Sequence, residues 1–255
     1  AVAGLVALCN GMSSAQLAAN HPVSGGTYEY GHRWLNPSLG FVAGWMFLCA
    51  KSASAATAAL GFALYLAPDH SLPIALATVG AVTALTLTGM QRSNMVNTLI
   101  VAAVLLSLIA FIAFGAPAIS NHSDRWQTEW DTENLSSLLP ASALMFVAFT
   151  GYGRIATLGE EVAEPRRTIP RAIIATLVIT TLLYIGVAWI ALANAGNDFA
   201  SLTAIAEKFS GPTLGKVLTV GAAIAMISVL LNLVLGLSRV ILAMGRRGDL
   251  PETTA

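Results

Sequence analysis

The residues best suited to chemistry interrupt an apolar part of the chain: residues 149–161 read FTGYGRIATLGEE. Gly151 and Gly153 flank Tyr152 and favour a local break in a membrane helix. A break leaves carbonyl oxygens at the end of one half-helix and amides at the start of the next. These two sets of groups can bind an ammonium group and a carboxylate, respectively. The alternative is a glycine-rich contact with a neighbouring helix, where small residues permit close packing.

A group of charged residues follows the break directly. Glu160 and Glu161 precede the sequence VAEPRRTIPRAI, which contains Arg166 and Arg167. Ion pairs between these carboxylates and guanidinium groups would close the inner side of a pathway, so the sequence predicts a cytoplasmic gate. The alternative is a solvated charge cluster that only sets the topology, since an exposed ion pair contributes at most about 1 kcal/mol.

Lys51 lies near the middle of an apolar segment at 39–66. An ionisable group at that depth costs about 2.5–3.5 kcal/mol on insertion scales and is by default a functional candidate. We expect Lys51 to be a proton-responsive or substrate-facing group. A structural contact with backbone carbonyls is the alternative.

The sequence does not favour an enzyme or a metal site. The four histidines all lie outside the apolar segments, and no pair of them has metal-ligand spacing. No Ser–His or paired-Asp arrangement falls within those segments, and no phosphate-binding loop of the type GxxxxGKS/T occurs. We therefore expect no catalytic residue, no metal and no cofactor, with a coupling proton or sodium ion as the one bound species besides the substrate.

Composition places the chain in a lipid bilayer. Of its 255 residues, 56% are hydrophobic and 10% are charged, whereas a soluble domain carries about 25% charged residues. The mean hydropathy is +0.72. A net charge of zero gives no reason to expect nucleic acid as a partner. Cys9 and Cys49 lie in apolar runs, so we expect two small core residues rather than a disulfide.

A membrane helix needs about 20 largely apolar residues, and seven segments approach or exceed that length. They are 1–19, 39–66, 73–89, 94–115, 139–159, 172–196 and 217–237. We take them as one transmembrane domain over residues 1–255. The distribution of Lys and Arg places the 20–38 loop on the inner side.

Two of the connecting stretches have helical character themselves. Residues 21–34 suit a short interfacial helix on the inner face, and residues 198–211 suit a helix that lies flat on the outer face. Plain loops are the alternative for both.

Several of these stretches together resemble the amino acid–polyamine–organocation (APC) superfamily of permeases. PVSGGTYEYG followed by LGFVAGW looks like the stretch between the second and third helices of that family. FTGYGRIATLGEEVAEPRRTIPRAI looks like its sixth helix, and SRVILAMGRRGDLP looks like the end of its eighth. The segment IATLGEEV is most similar to the cationic amino acid transporter branch.

The resemblance implies a fold and an extent for the chain. The fold would be an all-α bundle of five-plus-five inverted repeats (LeuT-like), with a broken helix near 149–154. The chain would be a fragment that covers about the second to the eighth helix, and the remaining helices of the parent chain would lie outside it.

The resemblance also implies a binding site for an amino acid. The residues around the substrate would be Phe149, Thr150, Gly151, Tyr152 and Gly153. Their carbonyls would face its amino group, and an aromatic side chain would close over it. On the eighth helix, Ser228 and Asn232 would contribute to a coupling-ion or substrate site, with hydrogen bonding between helices as the alternative.

The chain departs from the family pattern at two positions of the sequence FTGYGR, residues 149–154. Gly153 stands where relatives in the cationic branch carry an acidic residue, and Arg154 stands where a small or apolar residue is usual. Together with Lys51, Arg154 favours a neutral or anionic substrate over a cationic one.

These observations predict secondary active transport of amino acids by alternating access, coupled to an ion and with the proton as the expected ion. The protein would be an integral multi-pass protein of the plasma membrane, and its partners would be an amino acid and the lipid bilayer. A seven-helix receptor and an intramembrane enzyme are the alternatives.

Overall fold

The computed structural model describes residues 2–87, 90–117, 132–157, 160, 162–195 and 201–251. For residues 90–94, 132–137, 156 and 195 it describes the backbone alone. Nearly all of these residues are helical, and the described part of the chain contains no strand.

The α-helices follow in this order: α1 Val2–Asn20, α2 Thr27–Trp34, α3 Pro37–Leu66, α4 Ser71–Leu87, α5 Met90–Gly115, α6 Thr132–Phe149, α7 Pro165–Ala195, α8 Leu202–Ser210 and α9 Pro212–Arg247. Among the described residues, 3-10 helices also occur at Pro68–His70, between α3 and α4, and at Thr150–Thr157, after α6.

Seven helices in the described ranges are long and apolar enough to cross a membrane, which confirms the predicted all-α membrane fold. Their ends differ from the predicted ones. α7 begins at Pro165 rather than at residue 172, because proline suits the first turn of a helix. α9 continues past residue 237 to Arg247, and a cationic last turn is favourable there because it faces the carbonyl end of the helix.

The two short connecting helices are present. α2 covers Thr27–Trp34 and α8 covers Leu202–Ser210. The Ser201 hydroxyl caps α8 by accepting a hydrogen bond of 3.3 Å from the Ala204 amide. Gly211 follows α8 with φ of 77°, a conformation that favours glycine.

The chain divides into two compact units. The first consists of Ala1–Ala55, Asp131–Thr180 and Asn232–Ala255, and the second of Ala56–Trp130 and Thr181–Leu231. The prediction of one transmembrane domain over the whole chain stays a prediction.

In the first unit, α1 packs through small side chains. Its buried residues are Ala3, Ala7, Gly11, Ala15 and Ala18. They recur every three or four positions and so form one face of the helix. α1 packs against α6 and the 3-10 helix Thr150–Thr157, and its Gly11 lies close to Leu177 of α7. Small residues allow this close approach of helices in lipid.

In the second unit, an apolar core joins residues of α5, α7, α8 and α9. Its buried residues are Phe111, Ile190, Ala191, Ile205, Ala206, Leu214 and Leu218. Phe209 packs edge-on to Phe111 with 5.5 Å between ring centroids. The amphipathic helix α8 is therefore held by its apolar face.

The expectation that both cysteines are core residues is wrong. Cys9 and Cys49 are free and exposed. A bilayer solvates apolar side chains, so an apolar residue of a membrane helix need not face the protein interior.

Candidate functional site

The predicted break lies at the junction of α6 with the 3-10 helix that follows. α6 ends at Phe149, and the backbone changes at once to the tighter 3-10 geometry over Thr150–Thr157. The Thr150 hydroxyl donates a hydrogen bond of 2.8 Å to the Val147 carbonyl. Side chains of this kind compete with the regular helical bonds and satisfy the carbonyls that a break leaves.

Gly151 and Gly153 border open space. Neither glycine has the positive φ that would require a residue without a side chain. A Cβ atom built on either glycine would meet no atom of the described residues within 4 Å. Close packing against a neighbouring helix in the described part therefore does not account for them.

Two aromatic side chains anchor this open surface. Phe149 and Tyr152 are each only 6% exposed, whereas Gly151 between them in sequence is exposed. The 3-10 helix that carries Tyr152 packs against α1. The buried rings and the packing against α1 thus hold the backbone at the break, while Gly151 stays exposed.

The 3-10 helix also brings Arg154 to α9. Three residues make one 3-10 turn, so Arg154 lies one turn below Gly151 on the same side. The Cγ atom of Arg154 is 4.0 Å from the position that a Cβ would take on Gly236. Asn232 precedes Gly236 by one helical turn and shares that face of α9. The sequence FTGYGR (residues 149–154) and the face of α9 that carries Asn232 therefore lie close together.

Ser228 makes the hydrogen bond that was the alternative to a coupling role. Its hydroxyl, in a residue only 6% exposed, donates to the Asn97 side-chain oxygen of α5 at 2.8 Å. This bond links two helices within the second unit. The part of Ser228 in ion coupling stays a prediction.

Lys51 is partly buried on α3. Its ammonium nitrogen lies 5.8 Å from the ring centroid of Phe47, one turn earlier on the same helix, within the range of a cation–π interaction. The role of Lys51 in coupling stays a prediction.

Two residues of the predicted gate, Glu160 and Arg167, have other partners than expected. The Ser24 amide donates to Glu160 at 3.2 Å, and Arg246 at the end of α9 pairs with the same carboxylate at 3.1 Å. Arg167 instead faces Glu164 at 3.9 Å, and both side chains are exposed.

The two remaining gate residues are Arg166 and Glu161. Arg166 is exposed, and Glu161 lies outside the described residues. The gate function of all four residues stays a prediction.

The Ser24 amide and then Arg246 lower the pKa of Glu160. A lowered pKa in the folded state means that the interaction stabilises the fold above the ordinary pKa of glutamate, about 4.3. The stabilisation is lost only as the pH falls through the lowered value. Glu160 therefore keeps its charge throughout the neutral range, and its contacts do not respond to pH there.

A second polar network lies beside Glu160 and was missed by sequence reasoning. Arg247 donates two hydrogen bonds to Glu29 of α2, at 2.8 and 2.6 Å. The Tyr28 hydroxyl donates to Asp249 at 2.6 Å, and the His32 side chain lies 3.3 Å from the same carboxylate. Burial, followed by the bond to Asp249, raises the pKa of Tyr28.

These contacts join residues more than two hundred positions apart, which a local pattern cannot reveal. The local signals were the sequence TYEYGH in α2 and the sequence RRGD at 246–249. Only their opposite charges hinted at a pairing.

Comparison with known proteins identifies the family. The family model described as amino acid permease matches residues 1–255. This chain belongs to the amino acid permease family.

Relatives of this permease chain carry transporter names. It is 42% identical over 263 residues to an uncharacterized transporter of Mycobacterium tuberculosis, covering 100% of the chain and 59% of that protein. It is 27% identical over 281 residues to the branched-chain amino acid permease BcaP of Bacillus subtilis, with 98% and 59% covered. It is 25% identical over 282 residues to the mitochondrial cationic amino acid transporter 3 of Arabidopsis thaliana, with 98% and 46% covered.

The chain thus spans about three fifths of the length of the first two relatives. The family and the seven apolar helices make the protein an integral multi-pass membrane protein. The names of these relatives are those of transporters and not of enzymes.

The network of Glu29 and Arg247 yields a stability prediction. Glu29→Gln in the full-length permease removes a charge-assisted pair whose carboxylate is only 11% exposed. Hydrogen bonds to charged groups contribute about 1.5–3 kcal/mol, and partial exposure of Arg247 reduces this to about 1 kcal/mol. We expect a lower melting temperature in detergent. Glu164→Gln, which removes the exposed pair with Arg167, is the control and should leave the melting temperature unchanged. Equal melting temperatures of the two variants would contradict this account.

Proposed function

We propose that the full-length protein carrying this chain transports amino acids by alternating access, and that the substrate binds beside Gly151 and Gly153. One observation carries the proposal: the α-helix ends at Phe149 where two glycines face open space. Carbonyl and amide groups at such a break can bind both charged ends of an amino acid without a charged side chain. Membership of the amino acid permease family supports the same substrate class.

Within this proposal, the substrate is lined by the five residues of the motif. They are Phe149, Thr150, Gly151, Tyr152 and Gly153. The buried rings of Phe149 and Tyr152 hold the backbone, and the absence of side chains at the two glycines leaves room for the ligand. The helices around the site would follow the inverted-repeat plan of the resemblance, with the rest of the plan supplied by parts of the permease beyond this chain.

The charge near the site favours an uncharged substrate side chain. Arg154 is one 3-10 turn from Gly151 and carries a permanent positive charge. A branched-chain amino acid, the substrate class in the printed name of the Bacillus relative, meets no repulsion there. The printed name of the Arabidopsis relative supports a cationic substrate as the second candidate.

Coupling to an ion is part of the proposal, with Lys51, Ser228 and Asn232 as the residues involved. Lys51 is the partly buried cation of α3 and would exchange the coupling proton, and Asn232 shares its helix face with the contact of Arg154. If Lys51→Ala takes up amino acids with the full pH dependence of the wild type, Lys51 has no part in the mechanism. Residence in the plasma membrane completes the proposal.

Uptake of radiolabelled leucine into proteoliposomes tests the proposed site. The full-length protein should accumulate leucine under an inward proton gradient. Gly153→Leu should place a side chain in the space proposed for the substrate and lower uptake about tenfold, which corresponds to about 1.4 kcal/mol of lost binding. Gly80→Leu is the matched control, since a Cβ at Gly80 also meets nothing within 4 Å but lies on α4.

The melting temperatures of both variants show that they fold. Leucine uptake that is equal in the two folded variants would place the substrate elsewhere. No uptake of any amino acid by folded wild-type protein would return the receptor alternative to consideration.

The charge of Arg154 predicts which competitors inhibit leucine uptake. Two like charges about 4 Å apart repel each other by about 4 kcal/mol at an effective dielectric constant of about 20, and by less at a greater distance. Unlabelled arginine should therefore inhibit the wild type poorly, and Arg154→Gln should increase its inhibition about tenfold or more. Arg171→Gln, at an exposed position of α7, is the control. Strong inhibition of the wild type by arginine and lysine, with none by neutral amino acids, would favour the cationic candidate instead.

A further inference from the structure

Two polar networks of different character meet at Arg246 and Arg247, the last two residues of α9. The clamp consists of Glu29, Arg247, Tyr28 and Asp249, and it ties α2 to the end of α9. The latch consists of Glu160, Arg246 and the amide of Ser24.

The clamp is bidentate, and its α2 side is buried while the Arg247 side chain is 42% exposed. Tyr28 is fully buried, the Glu29 side chain is 11% exposed, and its shortest bond to Arg247 is 2.6 Å. Around it, Val240, Ala243 and Met244 form an apolar cluster with Tyr28. Breaking such a pair leaves a buried charge without its partner and is costly. The clamp therefore behaves as a fixed part of the structure.

The latch is exposed, and one guanidinium nitrogen of Arg246 reaches both carboxylate oxygens of Glu160, at 3.4 and 3.1 Å. The side chains of Arg246 and Glu160 are 53% and 42% exposed, with 3.1 Å between nitrogen and oxygen. Pairs exposed to this degree contribute little, because water solvates both charges when they separate. The latch can therefore open without unfolding the parts that it joins.

Glu160 follows the 3-10 helix by three positions, since that helix ends at Thr157. Three residues of chain reach at most about 10 Å. A movement of Glu160 beyond that reach must therefore move the end of the 3-10 helix and, through it, the backbone at Gly151 and Gly153. The latch is therefore a polar contact three residues beyond the inner end of this 3-10 helix.

We propose that Glu160 is a positioning residue for the broken-helix segment, residues 149–157. Its carboxylate holds the inner end of this segment against Arg246 and the Ser24 amide. It releases that end when the inner side opens. The clamp keeps α2, which follows Ser24, and the end of α9 in register, so that both partners of Glu160 stay in place while the latch opens and closes. This proposal rests on the proposed transport function.

Charge reversal in the full-length protein tests the latch. Glu160→Arg and Arg246→Glu should each open it, and the double variant should restore the ion pair in the opposite sense but not the bond from the Ser24 amide, because arginine has no acceptor. With the latch open, fewer molecules face the outer side, so the KM for leucine uptake rises in inverse proportion to the competent fraction. The expected rise is roughly two- to fivefold, the scale of an exposed ion pair. Glu164→Arg is the control at an exposed neighbouring position.

A purely structural role would give a different pattern. The single variants should lower the melting temperature less than Glu29→Gln does, because the latch is the more exposed of the two networks. Restoration of the KM in the double variant supports pairing of these two residues. An unchanged KM in both single variants, or a KM in the double variant as high as in the single ones, overturns the proposal.

A second readout does not depend on transport. Thr157 is only 2% exposed, and Thr157→Cys in a Cys9→Ala, Cys49→Ala background reports on the inner end of the segment. Its reaction with a membrane-permeant maleimide should become faster in Glu160→Arg and slow again in the double variant, in which the ion pair is restored. If the labelling rates change in this way in a protein that takes up no amino acid, the proposed function is refuted and the latch is supported. Equal labelling rates in all variants would refute the latch.

Discussion

Every backbone amide and carbonyl that enters a bilayer must find a partner inside the protein, and the break after Phe149 depends on meeting this constraint. The change to a 3-10 helix keeps most of the backbone bonds in a tighter form. The Thr150 and Thr157 hydroxyls donate to carbonyls of the preceding turn. What stays open is the space at Gly151 and Gly153, where we propose that the amino acid binds.

The structure then divides the work of holding this segment between two kinds of contact. The segment is fixed by packing of the small side chains of α1 and of the buried rings of Phe149 and Tyr152. Close-packed side chains do not readily adopt another arrangement. Glu160 holds its inner end by charge, in contacts that water can replace. A segment fixed at one point by packing and at another by an exposed ion pair can tilt without losing its fold, which is what alternating access requires.

The sequence was sufficient for the elements and insufficient for their partners. Hydrophobic segments of about 20 residues and the Gly-Tyr-Gly motif are local signals, so the seven helices, α2, α8 and the break were predicted. Helix ends such as Pro165 and Arg247 were missed because polar residues extend a helix beyond its apolar part. The pairing of Glu160 with Arg246 joins distant parts of the chain, and several arginines nearer in sequence offered equal charge. Only the packing of the first unit distinguishes among them.

The central claim is that the open space at the break holds the substrate. It is tested most directly by substrate protection of a thiol at Gly153→Cys, in the full-length protein with Cys9→Ala and Cys49→Ala. Leucine should slow the reaction of this thiol with a methanethiosulfonate reagent, with half-protection near the KM of uptake. The same thiol at Gly80→Cys should react at one rate with or without leucine. Equal reaction rates at Gly153→Cys with and without saturating leucine would contradict the account.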